Sequence, residues 1–208
     1  AQRILSPLIG NGLLSAEGED WKKQRRIVAP TFAPGAVAKM SATIAKVAAR
    51  QTGGWLRGTI RTDMARAATD ATMQIIADTL FSSDARLTTR AAGDHIDNLV
   101  LASGQARIST ILGLQDLDIS PVMARARRGR VYLRNTLTAL VRERGPTGGG
   151  DDFFGGLIRS LYEQFPAAQA EALAVDNAIT FYVAGHETTA NALAWTIYLL
   201  AAQPELQD

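Results

Sequence analysis

An all-α fold follows from three features of this sequence. Apolar residues recur at three- and four-residue spacing along most of its length, alanine, leucine and arginine are abundant, and few stretches alternate with period two. Strands are therefore expected to be scarce, and no internal repeat is evident. The expected architecture is a helical bundle around one long central helix, residues ~167–202, with residues 1–208 in a single domain.

The elements are expected in this order. Residues 1–16 read as a loop with small turns at Gly10-Asn11-Gly12. A helix starts near Glu17, because Glu17, Glu19 and Asp20 crowd a first turn where the helix dipole favours acids, and Pro30 ends it. Residues 35–52 make a second helix with Val37, Met40, Ile44 and Val47 as its stripe, stopped by Gly53-Gly54. Asp63 opens a third, carrying Met64, Ala68, Thr72, Ile75, Ile76 and Leu80. A fourth runs from Asp84 to about Ser103. Pro121 sits at the start of a basic fifth helix over 121–144, with Val131, Leu133, Leu137, Leu140 and Val141 as its apolar stripe. Gly148-Gly149-Gly150 reads as a flexible joint before a short helix over 151–164. After Pro166 the longest pattern runs to about Ala202, and Pro204 closes it.

Composition narrows the function classes. The chain of 208 residues is 47% hydrophobic and 20% charged, ordinary for a globular protein. Its formal charge of +2, with acids and bases interspersed, gives no case for a nucleic-acid partner. No short helix–turn–helix with a basic recognition helix is evident, so a transcriptional regulator has little support. There is no cysteine, hence no disulfide framework and no thiolate metal site within the chain; this fits a reducing compartment, and a cytoplasmic location is expected. No apolar run reaches the ~18 residues of a spanning helix, so no membrane partner is expected. The start, Ala1-Gln2-Arg3-Ile4, has no initiator Met and no signal pattern, and reads as cut or processed.

The middle of the long helix carries Ala184-Gly185-His186-Glu187-Thr188-Thr189. Glycine and threonine are poor helix-interior residues, so something should compensate for them. At ~100° per residue Phe181, Ala184, Gly185, Thr188, Asn191 and Trp195 share one face. Ala184 and Gly185 leave room for something flat and bulky to approach the backbone. Thr188 can bond back to the Ala184 carbonyl and bend the helix. Glu187 stands beside that hydroxyl, so the turn could hold a small ligand and feed it protons. The plain alternative is a close helix–helix crossing with neutral threonines. A zinc-peptidase helix is excluded, since it needs a second histidine four residues after His186, where Ala190 stands.

This string, with Ala190-Asn191, Trp195 and the trailing Leu199-Leu200-Ala201-Ala202-Gln203-Pro204-Glu205, closely resembles the oxygen-activation helix of the cytochrome P-450 family. The resemblance implies a partial cytochrome P-450 fold. It implies that Ala184 and Gly185 lie over the haem face, that Thr188 hydrogen-bonds the oxygen species or its water, and that Glu187 belongs to the proton-delivery relay. His186 falls on the opposite face.

A second, independent string is Trp21-Lys22-Lys23-Gln24-Arg25. It places an indole N–H and a guanidinium one turn apart on one face, two donors suited to a buried carboxylate. The alternative is a surface stack of Arg25 on Trp21. The run from Glu19 to Phe32, with Pro30, resembles the family's haem-propionate helix and its exit, and the gap from Arg25 to Thr188 resembles the family's spacing. The resemblance therefore implies a haem monooxygenase that inserts one atom of O2 into a small apolar substrate, with haem b as cofactor and a reductase or ferredoxin as electron donor. Phe181 and Val183 are candidate pocket liners. Lys22, Lys23 and Arg26 form a basic edge where an acidic redox partner could dock, or a plain solvated face.

The family's axial cysteine thiolate and its Glu-x-x-Arg helix are absent from these residues, so no metal ligand is assigned here. The expectation is an incomplete domain, truncated on both sides, inactive alone, with one face of the last helix short of cover. His95 and His186 are poor substitute ligands, His95 being expected in solvent. The rival from another class is a catalytically silent helical fragment or interaction module.

Overall fold

The computed structural model describes residues 6–7, 9–55, 61–104 and 120–207. Eight α-helices organise them: α1 (Gly18–Val28), α2 (Pro34–Ala38), α3 (Ser41–Thr52), α4 (Met64–Leu80), α5 (Arg90–Gly104), α6 (Pro121–Arg144), α7 (Phe153–Gln164) and α8 (Ala167–Ala202). Short 3₁₀ turns follow α1 and α8, and no strand occurs among the described residues. The all-α expectation holds, and α8 is the central helix, in contact with α4, α6 and α7.

Local chemistry sets most ends. Asp63, Ser120 and Asp152 each accept a backbone N–H from the first turn of α4, α6 and α7. Pro166 and Pro204 bracket α8. No helix among the described residues is long and apolar enough to cross a membrane.

Five local expectations are corrected. The helix expected over 35–52 breaks at Lys39–Met40 into α2 and α3; of its stripe only Val47 is buried, while Val37 and Ile44 stay exposed. Helix α5 begins at Arg90 rather than Asp84. The Arg86 guanidinium binds the Asp84 carboxylate and, from the other side, Glu143 at the end of α6, which holds residues 84–87 as a turn. Val131 is 58% exposed, whereas Leu133, Leu137 and Val141 are buried. Gly148-Gly149-Gly150 is a packed turn, not a loose joint: Gly148 (φ +77°) lies so close to the Gly155 carbonyl that an added Cβ would sit 2.2 Å from it. Pro30 does not simply stop α1 either, since the chain continues as a 3₁₀ turn over Ala29–Phe32.

The core is built from α4 to α8, with Phe81, Leu87, Leu133, Leu137, Phe154, Leu157, Ile158 and Tyr182 among its fully buried side chains. A buried polar joint fastens the N-terminal loop to it. Asp176 of α8 accepts from the Asn11 backbone N–H (2.8 Å) and pairs with Arg134 of α6. Asn177 accepts from the Leu13 N–H (2.9 Å) and donates to the Gln24 side chain (2.9 Å), which in turn donates to the Asn11 carbonyl. Apart from the buried Arg134 Nε–H, which has no partner among the described residues, each of these donors finds an acceptor. Gly10 and Gly12 let the loop sit this close: an added Cβ would fall 2.2 Å from Asp176 Oδ1 and 2.5 Å from Thr180 Oγ1 respectively.

Candidate functional site

The tryptophan–arginine string forms the exposed flank of α1. Gln24 and Val28 point inward and anchor the helix. Trp21 and Arg25 lie roughly 60° round from that stripe, one turn apart. Trp21 is 43% exposed and Arg25 is exposed, and among the described residues the Arg25 side chain has no ion-pair or hydrogen-bond partner. The alternative, a stack of Arg25 on Trp21, is not formed among the described residues. The basic edge beside them is partly spent. Lys22 pairs with Glu19 at 2.7 Å, and Lys23 sits 5.6 Å above the Phe165 ring. Arg26 lines a shallow groove with Pro30 and Glu163.

Along α8 the change is abrupt. From Leu173 to Thr180 every residue is buried, and Tyr182 is too. Ala184 is exposed, Gly185 and Glu187 are half-buried, and Thr188 is exposed. The Thr188 hydroxyl donates to the Ala184 carbonyl at 2.7 Å, as its spacing predicts. Gly185 departs from expectation in part. It faces Ile76 of α4, and an added Cβ would lie 3.0 Å from Ile76 Cδ1. The glycine thus serves a close helix crossing, and the open edge belongs to Ala184 and Thr188.

An aromatic triad bridges the two strings. Phe32, at the exit of α1, lies 5.8 Å from Phe181 and 5.2 Å from Phe153; Phe153 lies 5.3 Å from Phe181, all edge-to-face. Phe181 is one turn before Ala184, so the triad ties the arginine helix to the small-residue edge. No hydrogen bond or ring contact directly joins Trp21 or Arg25 to Ala184–Thr188 among the described residues.

Two features were not foreseen. His186 is buried on the far side of α8, as its position implies, but neither ring nitrogen has a hydrogen-bond partner among the described residues. Burial holds its pKa below the ordinary histidine value, against the pull of Asp97 and Glu187. His95, expected in solvent, is half-buried with its ring 4.5 Å from that of Tyr132. A histidine inside an otherwise apolar inner face was the only sequence signal for the first; nothing local marks the second.

The donor set can be tested against a haem. A free guanidinium and a free indole on one exposed helix flank suit a propionate. An alanine and a threonine exposed just beyond the largely buried stretch Leu173–Tyr182 suit a flat ring, which larger side chains would push away. These residues fit the group. The axial thiolate has no source here, because the chain contains no cysteine.

Comparison with known proteins agrees. A family profile for cytochrome P450 matches residues 3–208. Cyclooctat-9-en-7-ol 5-monooxygenase of Streptomyces melanosporofaciens is 31% identical over 96% of this chain and 44% of its own length. Cytochrome P450 4F12 of Homo sapiens is 28% identical over 99% of this chain and 43% of its own. The cytochrome P450DA heme domain, a solved structure, superposes with a TM-score of 0.73 at 22% identity, covering 100% of this chain and 46% of that one; this likeness speaks to the fold alone. The chain spans less than half the length of these relatives. The helical architecture, the two motifs and the profile match together establish that this chain belongs to the cytochrome P450 family, a family of haem-iron monooxygenases.

Proposed function

We propose that this chain forms the distal wall and one propionate anchor of a haem-dependent monooxygenase acting on an apolar organic substrate. The observation that carries the reading is the exposed edge formed by Ala184 and Thr188, just after the largely buried stretch Leu173–Tyr182. Residues 1–208 are read as a single, incomplete domain, a reading supported by the packing of α8 on α4, α6 and α7 among the described residues. When bound, haem supplies the reductive activation of O2 and the transfer of one oxygen atom to the substrate, with electrons from a reductase or ferredoxin.

The chain's own residues do the rest. Trp21 and Arg25 hold the propionate by two converging donors. Ala184 leaves space for the ring, and Gly185 lets α8 sit close on α4 so that this space is fixed. The Thr188 hydroxyl donates to the Ala184 carbonyl and keeps its lone pairs free to accept. To donate toward a ligand it must leave that carbonyl, exchanging one hydrogen bond worth about 1 kcal/mol net for another. Glu187, half-buried next to it, is the group that replaces the proton. Phe181 and Val183, both partly buried against the core, turn an apolar lining toward the substrate.

The test joins this chain to a family segment that supplies the thiolate and measures haem retention by absorbance. Arg25→Ala and Ala184→Leu are each expected to lower retention at least tenfold on the scale of a lost charge-assisted pair or an overpacked contact. Thr188→Ala should retain haem but uncouple O2 consumption from product. Retention indifferent to both Arg25→Ala and Ala184→Leu would leave the rival reading, a catalytically silent helical module.

A further inference from the structure

Behind the Ala184–Thr188 edge, His186 is 1% exposed with both ring nitrogens unpartnered. A buried polar group in that condition carries a full desolvation cost. The carboxylate facing it is Asp97 of α5, with Oδ1 3.7 Å from Nε2, just beyond hydrogen-bond reach. Asp97 is 59% exposed and lines a wide groove between α3, α4 and α5, so it communicates with solvent while His186 does not.

The two sides of this gap are held unequally. The His186 carbonyl accepts from Thr72 Oγ1 of α4 at 3.1 Å, which fixes the α8 backbone. Helix α5 packs chiefly on α6, so its approach to α8 at Asp97 is the adjustable one. We propose that His186 and Asp97 form a proton-operated latch: when His186 takes up a proton, the Asp97 carboxylate closes the 3.7 Å gap and draws α5 onto α8 beside Gly185 and Glu187.

The surrounding charges are consistent with this. Asp97 on α5 and Glu187 on α8 favour the imidazolium, while burial opposes it and prevails. Burial also raises the Asp97 pKa, against His186, with Asp94 on α5 and Asp70 on α4 adding to the rise. Arg66 and Arg90 line the groove outside. The folded state therefore resists protonating His186. Stability is complete above the ordinary histidine value of 6.5 and falls as pH drops below it, with Asp97 limiting the fall. The latch does not depend on haem, so it stands or falls separately from the reading above.

His95 and His186 are the only histidines, which makes the experiment direct. Ring resonances of the whole chain are followed by NMR against pH, with His95→Gln used for assignment. His186 is expected to titrate below 6.5, and Asp97→Asn to move its midpoint further down. Thermal unfolding is the second readout: between about pH 7.5 and about pH 5.5 the Tm should fall by on the order of 2–4 °C, by more in Asp97→Asn, and by nothing attributable to this site in His186→Gln. A His186 midpoint unmoved by Asp97→Asn overturns the proposal, as does a Tm loss that persists in His186→Gln. Should His186→Gln fail to fold, the midpoint in Asp97→Asn alone decides, because that substitution lies at the surface.

Discussion

The two halves of α8 differ sharply in burial. Its first half is buried on nearly every side from Leu173 to Tyr182 and carries Asp176, Asn177 and Thr180 as satisfied polar groups. Its second half exposes Leu193, Trp195, Tyr198, Leu199 and Leu200, with Trp195 and Tyr198 packed only edge-to-face on each other at 5.7 Å. Both halves are comparably apolar in sequence. What separates them is whether neighbouring elements cover them, and the Ala184–Thr188 edge falls at the boundary. Burial is therefore a property of the assembly around a helix, not of the helix's own composition.

The contrast can be sharpened by substitution. Tyr182→Ala in the covered half should have the largest effect, about 3–5 kcal/mol in chemical denaturation, because a fully buried ring is lost along with its hydroxyl bond to the Leu87 carbonyl. Asp176→Ala comes next, at roughly 2–3 kcal/mol. It strands the Asn11 N–H and the Arg134 guanidinium; the figure sits below that for a fully buried pair because Arg134 is 35% exposed. A smaller, pH-dependent effect is expected at the other end of the core. Asp84 is held below the usual carboxylate value by its hydrogen bonds to Arg86. Burial pushes Asp152 up, but Arg144, Ser82 and the Gly155 N–H together outweigh it and bring it below that value. Their contribution is present above about 3.8 and disappears as pH falls beneath it, so Asp152→Asn should flatten the acid limb of the stability curve. The smallest effect belongs to the uncovered half. The double substitution Trp195→Ser, Leu199→Ser should change stability by no more than about 0.5 kcal/mol while reducing self-association in sedimentation. A large loss of stability there would break the comparison.

Much of this was legible in the residues, for identifiable reasons. The bounds of α8 follow from two prolines, and those of α4 and α6 from Asp63 and Pro121, because caps and breakers act locally. The start of α5 was not legible, because the turn at Asp84–Leu87 depends on Glu143, 57 residues away from Arg86. The break at Lys39–Met40 and the exposure of Val37 and Ile44 likewise depend on which partners arrive, not on spacing. At the site, the exposed Ala184 and Thr188 and the back-bond between them were readable from the string itself. The contact of Gly185 with Ile76 and the pairing of His186 with Asp97 across the helix were not, since neither partner carries a local mark.

The seating of Gly10 and Gly12 on Asp176 and Thr180 has a kinetic consequence. The contacts Asn11–Asp176 and Leu13–Asn177 span 165 and 164 residues. On a ribosome the Gly10–Leu13 turn must wait, unlocked, until Asp176 and Asn177 have emerged, and closing so long a loop is slow. These residues thus find their place late, and a chaperone or a folding partner would meet them while they are still loose.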